Sequence, residues 1–297
     1  MKPKLFTGIF AALTTPFRNE EVSLSDFSDN LDWYNQTSLA GYVVLGSTGE
    51  AVFLSEKEAE AIISAARKKM APGKKLIAGA SRESVKEAIN FVKRLADCGA
   101  EAVLVKPPYY YKSRMTREAL KAFYLGLADK TPLPLIIYHI PQNTGIPLEP
   151  ELIIELASHP AVVGIKDSSG NLSTVAEVVP HVKPDFCFLT GAGNILMPSL
   201  EMGACGAVLA LAAVAPAICC QIYHLFLEKR FSEAAELQLK VVPLNKLLTQ
   251  TKGIPAIKYA LDLLGRFGGN PRLPLLPLED EGKRQTASLL RDLGLIS

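Results

Sequence analysis

Apolar runs of strand length alternate with helix-period segments along most of the chain: TGIFAALTTP, GYVVLG, KKLIAG, EAVLVKP, PLIIYHIP, VVGIKD, FCFLTG and GAVLALAAV. Each run is near-continuous and rich in Val, Ile and Leu, the pattern of a strand buried on both faces. Between them lie segments such as LSEKEAEAIISAARKKM and RESVKEAINFVKRLADCG. Their apolar residues recur at three and four positions with charges on the other face, as in crossover helices. Eight strands separated by helices predict an α/β protein with a parallel sheet. The unbroken repetition favours closure into a (β/α)8 TIM barrel over residues 1–225. An open doubly wound sheet is the alternative, but that fold usually carries a Gly-rich nucleotide fingerprint after its first strand, and TTPFRNEE is not one.

Beyond the eighth run no further strand is evident. FSEAAELQLKVVPLNKLLTQT, IPAIKYALDLLGRFG and EGKRQTASLLRDLG read as helices around a Pro-rich stretch, NPRLPLLPLED. This tail is too apolar for a solvated linker, so residues 226–297 are expected to form a helical appendage packed on the barrel or on a neighbouring subunit. A chain of 297 residues that is 48% hydrophobic can bury one large barrel core. The 32 basic and 30 acidic residues leave a formal charge of +2 with no basic block, which argues against a nucleic-acid partner. The apolar start is broken by Thr14, Thr15 and Pro16 and is too short to span a membrane, so it reads as a first strand, not as a signal peptide. Five cysteines without metal-ligand spacing read as buried, reduced thiols of a cytoplasmic protein.

Chemistry in such a barrel belongs at the C-terminal strand ends. There Lys166 ends the run AVVGI and opens KDSSG, and Tyr138 ends PLPLII before HIPQNTG. A lysine in water is neutral in only about one molecule in a thousand at pH 7. Burial in an apolar barrel favours the neutral amine, which can attack a carbonyl while a phenol moves the protons. Alternation along β-strands puts Gly164 on the same face as Lys166, removing bulk beneath it, and turns His139 away from Tyr138. His139 therefore reads as structural, and His159, His181 and His224 show no paired carboxylate. In GSTGE, Gly46 and Gly49 would let the backbone approach a ligand, and Ser47 and Thr48 offer hydroxyls to an anion. Tyr109, Tyr110 and Tyr111 follow a rigid Pro107–Pro108 pair and on their own read as packing or interface residues.

Together these segments resemble the dihydrodipicolinate synthase / N-acetylneuraminate lyase family of class I pyruvate-dependent aldolases. The resemblance runs over essentially the whole chain through TTPF, GSTGE, the tyrosine cluster, YHIPQNTG, GIKDSSG, LTGAGN and GIPAIKYAL, in order. It implies that Lys166 forms a Schiff base with pyruvate or a 2-oxo acid and that Tyr138 is the catalytic phenol. Ser47 would stand in a proton relay completed by Tyr110 of an adjacent subunit of a homotetramer, a dimer of tight dimers. Thr48 would bind the pyruvyl carboxylate, and Asn143, Ser168 and Gly191 would line the pocket. No metal or organic cofactor is implied. Synthases of the family place an arginine where Asn143 stands, and some bacterial ones keep feedback-site histidines where Glu56 and Ala59 stand. IPQNTG, KDSSG, the spacing from Tyr110 to Met115, and GGNPRLPL instead resemble 4-hydroxy-2-oxoglutarate aldolases. The expected reaction is cleavage of a 4-hydroxy-2-oxo acid to pyruvate and an aldehyde such as glyoxylate. The synthase condensation, a 2-keto-3-deoxy sugar acid aldolase or dehydratase, and a non-catalytic 2-oxo acid sensor are the alternatives.

Overall fold

The computed structural model describes residues 4–297; Met1–Pro3, counted in the expected barrel unit, lie outside them. Eight strands follow one another in order: β1 (Gly8–Ala12), β2 (Gly41–Val44), β3 (Lys75–Gly79), β4 (Ala102–Val105), β5 (Leu135–His139), β6 (Val162–Asp167), β7 (Cys187–Thr190) and β8 (Gly206–Leu209). All pair in parallel with their sequence neighbours, and β8 pairs with β1 to close the barrel. Alternation decides what each residue touches. Phe10, Val43, Ile77, Leu104, Ile136, Leu189 and Val208 fill the interior. Ile9, Tyr42, Leu76, Val103, Ile137 and Phe188 face the helical layer. The strands are apolar on both faces because both are covered, which is why their runs show no alternation in the sequence.

The outer layer consists of α1 (Leu24–Asn35), α2 (Glu56–Lys69), α3 (Val85–Asp97), α4 (Arg117–Ala128), α5 (Pro150–Ala157), α6 (Leu172–Val178), α7 (Leu196–Glu201) and α8 (Pro216–Leu227). Helix α2 shows why these segments are helical. The Ser55 hydroxyl accepts the Glu58 N–H and the Glu58 carboxylate accepts the Ser55 N–H, a reciprocal cap. Ala59, Ile62, Ile63 and Ala66 then bury one face at helical spacing. Among the described residues, no helix is long and apolar enough to cross a membrane.

Three details differ from expectation. The run GAVLALAAV is a strand only to Leu209, and Leu211–Val214 form a helical turn; a fully apolar, alanine-rich run has no period by which the two can be told apart. The boundary expected after residue 225 falls inside α8. Of the cysteines, all free, Cys187, Cys219 and Cys220 are buried, whereas Cys98 and Cys205 are only partly so.

The tail forms α9 (Phe231–Lys246), a wide π turn over Leu247–Thr251, α10 (Ile254–Leu263) and α11 (Asp280–Asp292). Val241, Leu244, Leu248, Ile257 and Leu290 belong to the same apolar cluster as the outer face of the barrel. Arg272, between α10 and α11, binds the carbonyl oxygens of Glu20 and Phe53 and the carboxylate of Glu58. Its guanidinium holds the Glu58 carboxyl down at about 2.

Candidate active site

At the C-terminal mouth of the barrel, β5 and β6 pair Tyr138 with Lys166 and His139 with Asp167. The first two side chains point inward and the second two outward. Lys166 and Tyr138 are each 5% exposed, and the Lys166 amine lies 4.3 Å from the centre of the Tyr138 ring. No acidic side chain among the described residues pairs with that amine. The Ser47 hydroxyl is 3.4 Å from the Tyr138 hydroxyl, a long contact that a bound substrate could tighten. The structure therefore gathers Lys166, Tyr138 and Ser47, drawn from three strand ends, at one point.

Other expected residues surround this point to different degrees. Gly191 follows β7, and a Cβ there would lie 2.0 Å from Ser168 Oγ and 3.1 Å from Lys166 Cε. Any side chain at 191 would therefore displace Lys166 or Ser168. Thr48 is buried beside Ser47. Gly46 lines the cavity above Tyr138, but a Cβ on Gly49 would meet the Leu13 carbonyl at 3.0 Å. Gly49 thus packs closely on the chain itself. The space inferred beneath Lys166 is likewise taken: a Cβ on Gly164 would come within 2.4 Å of the Cys187 carbonyl oxygen. Asn143 sits exposed in the short turn Pro141–Thr144. Tyr110 is 75% exposed and stacks edge-on against Tyr111.

Two buried polar pairs brace the site. His139 Nε2 accepts the Leu148 N–H, so its proton is on Nδ1, which donates to Asp167 at 2.8 Å. The Ser169 hydroxyl binds the other Asp167 oxygen. The pair clamps β5 to β6 on the outer face, one residue beyond Tyr138 and Lys166 on each strand. His139 is structural as expected, but two histidines have acidic partners, since His159 also lies 3.1 Å from Asp129. Both pairs join residues distant in sequence, so no local pattern shows them.

The second brace is Glu50 with Lys258, which sequence reasoning passed over. Their side chains are wholly buried and meet at 2.8 Å. Glu50 Oε2 also accepts the Arg272 N–H, and the Lys258 amine donates to the carbonyls of Thr15 and Asn270. The Thr15 hydroxyl in turn donates to the Gly49 carbonyl. TTPF, GSTGE, GIPAIKYAL and GGNPRLPL therefore converge on one buried charge. Burial pushes the Lys258 ammonium below the usual lysine range, and Glu50 opposes that shift. Leu45 and Glu50, at the two ends of the GST segment, both adopt left-handed φ, 58° and 56°. Such conformations cost about 1–3 kcal/mol each in a non-glycine residue and persist only where the surroundings impose them. A signal was present: Lys258 lies among Ala256, Ile257, Ala260 and Leu261 on the apolar face of α10. A lysine there demands a buried partner.

An amine and a phenol buried at the strand ends of a closed (β/α)8 barrel define a barrel enzyme with its chemistry at the C-terminal mouth. Comparison with known proteins places it further: residues 5–293 match the Dihydrodipicolinate synthetase family, to which this chain belongs. Members of that family are class I pyruvate-dependent lyases that work through a lysine Schiff base, and this chain is an enzyme of that class. It is 35% identical over 296 residues to a 4-hydroxy-tetrahydrodipicolinate synthase of Archaeoglobus fulgidus, covering 99% of this chain and 100% of that one. A dihydrodipicolinate synthase of Thermotoga maritima superposes with a TM-score of 0.94 at 27% identity, covering 98% of this chain and 100% of that one. The chloride-inhibited dihydrodipicolinate synthase of Acinetobacter baumannii in complex with pyruvate gives 0.93 at 28% identity, covering 98% and 99%.

Proposed function

We propose that the chain is a cytoplasmic class I aldolase that cleaves a 4-hydroxy-2-oxo acid, 4-hydroxy-2-oxoglutarate above all, to pyruvate and glyoxylate. The observation that carries this reading is the in-register pair Tyr138 and Lys166, a buried amine without an acidic partner beside a phenol. The pyruvate complex of the Acinetobacter relative supports a pyruvyl substrate. The Lys166 amine adds to C2, and loss of water leaves an iminium. Tyr138, linked to Ser47, gives its proton to the carbinolamine hydroxyl that leaves as water and, as the phenolate, takes the proton of the 4-hydroxyl as the C3–C4 bond breaks. The electrons of that bond move into the iminium to give an enamine, and the aldehyde departs. Protonation at C3 and hydrolysis release pyruvate and restore the amine. The iminium is the electron sink, so the cycle draws on no metal or organic cofactor. Thr48 holds the C1 carboxylate, Ser168 and Gly191 wall the pocket, and Ser47 stands in a proton relay that Tyr110 of a neighbouring copy in a homotetramer completes.

A second reading, 4-hydroxy-tetrahydrodipicolinate synthesis, is favoured by the name of the Archaeoglobus relative. Position 143 speaks against it. An exposed asparagine stands where the family's synthases carry an arginine, and a neutral amide gives no bidentate, charged contact with a carboxylate. The test has two stages. Pyruvate with borohydride should add one reduced pyruvyl group, mapped by peptide mass to Lys166, and Lys166→Ala should add none. Assays of pyruvate release from 4-hydroxy-2-oxoglutarate and of condensation with aspartate semialdehyde then compare the readings, and efficient condensation with poor cleavage would reverse the assignment.

A further inference from the structure

At the opposite end of the barrel from Lys166, two cysteines stand side by side. Cys187 opens β7, and Cys205 directly precedes β8. The two strands pair Gly206 with Leu189, so Cys205 falls opposite Phe188 and diagonal to Cys187. With strands about 4.8 Å apart and a rise of about 3.3 Å per residue, that diagonal sets the two Cα atoms about 5.8 Å apart. Disulfides bridge Cα separations of about 4.4–6.8 Å. The side chains also turn the same way, since Cys187 belongs to the barrel interior and Cys205 packs against it. Both reach the main chain of Phe6. Cys187 Sγ accepts the Phe6 N–H at 3.4 Å, and Cys205 Sγ donates to the Phe6 carbonyl oxygen at 3.3 Å.

Neither thiol has a part in the Schiff-base chemistry, yet this pair differs from the other three cysteines. A hydrogen bond from the Cys205 thiol holds the Cys187 thiol below the usual cysteine range, against the effect of burial. The Phe6 N–H and the Lys4 ammonium, which donates to the adjoining Phe186 carbonyl, act in the same direction. The same contact pushes Cys205 up, so the pair gives up one proton and keeps the other. Cys205 is partly exposed, which gives a water-sized reagent a way in. Burial raises both Cys219 and Cys220, Cys220 to about 11. As consecutive residues of α8 they also point about 100° apart around the helix, which keeps their sulfurs from pairing. Cys98 caps α3 in the outer layer.

We propose that Cys187 and Cys205 are a modification site, a dithiol that hydrogen peroxide closes reversibly to a disulfide between β7 and the start of β8. The Cys187 thiolate attacks one oxygen of the peroxide. The O–O bond breaks, the departing hydroxide takes a proton from solvent to become water, and Cys187 is left as a sulfenic acid. The Cys205 sulfur then attacks the Cys187 sulfur. The S–O bond breaks, and the hydroxide leaves with the Cys205 proton as a second water. Two thiols thus give up two electrons, which reduce one peroxide to two waters. Exchange with a small thiol reductant reverses the step, as in the transient disulfides of redox-sensing proteins. The crosslink lies at the floor of the barrel, away from Lys166 and Tyr138 at its mouth.

The test treats the whole enzyme with hydrogen peroxide at neutral pH, quenches it in guanidinium with N-ethylmaleimide, and maps the peptides by mass. The intact chain should lose two hydrogens, a peptide joining Cys187 to Cys205 should appear, and dithiothreitol should restore all five alkylatable thiols. The pair should react about tenfold faster than Cys98, in proportion to its larger thiolate fraction. In Cys205→Ser the disulfide should be lost, and dimedone should label the sulfenic acid that stays on Cys187. Cys187→Ser should leave Cys205 unmodified over the same interval. A disulfide through Cys98, Cys219 or Cys220, a pair that reacts no faster than Cys98, or an oxidation that dithiothreitol does not reverse each overturns the inference. The wild-type chain decides these outcomes by itself, so the result does not depend on how the serine variants fold.

Discussion

Tyr138 brings a ring that packs and one hydroxyl near Ser47. The ring belongs to the barrel interior with Ile136 and Leu104, and the Lys166 amine rests against its face. Tyr138→Phe keeps those contacts and removes only the hydroxyl near Ser47. Packing alone predicts little change in rate, whereas loss of proton transfer predicts a fall in kcat of roughly 10²–10⁴-fold. Steady-state turnover with an unchanged melting temperature separates the two. Lys166 and Lys106 both stand at strand ends without an acidic partner, one against the Tyr138 ring and the other against the Tyr109 ring.

Among the elements, α10 has the least obvious link to chemistry and the firmest physical one. Through Lys258 it reaches Glu50, and through Glu50 it holds the left-handed turn that presents Ser47 and Thr48. Removing one member of a buried pair leaves the other charge uncompensated, at a cost of about 3–5 kcal/mol. Lys258→Met should therefore lower the melting temperature markedly, while the double variant Glu50→Gln/Lys258→Met should recover much of the loss. Because the turn is then no longer held by charge, the double variant should still show a raised KM for the 2-oxo acid. Thermal unfolding read beside KM checks both parts. Equal stability of the single and double variants would show that the charge pair is not what holds the turn.

For the whole molecule, the open question is whether one chain makes a complete site. Tyr110 is mostly exposed, as is Val52 on the loop after GSTGE. If a second copy supplies Tyr110, Tyr110→Phe and Lys166→Ala variants, each nearly inactive alone, should regain activity when unfolded and refolded together. Mixed assemblies would then pair an intact Lys166 with an intact Tyr110 from the other chain. No gain on mixing would place the relay within one chain. The sequence by itself determined the barrel, because eight doubly apolar strands between amphipathic helices have one economical way to bury both faces. It also marked Lys166, Tyr138 and Ser47, since polar groups at the ends of buried strands stand out against apolar runs. Only the tertiary structure decided the rest. It showed that Gly49 and Gly164 relieve contacts with the chain's own backbone, and that His139 meets Asp167 and Glu50 meets Lys258. Those facts depend on strand register and on contacts between residues far apart in the chain, and neither leaves a periodic trace in the order of the amino acids.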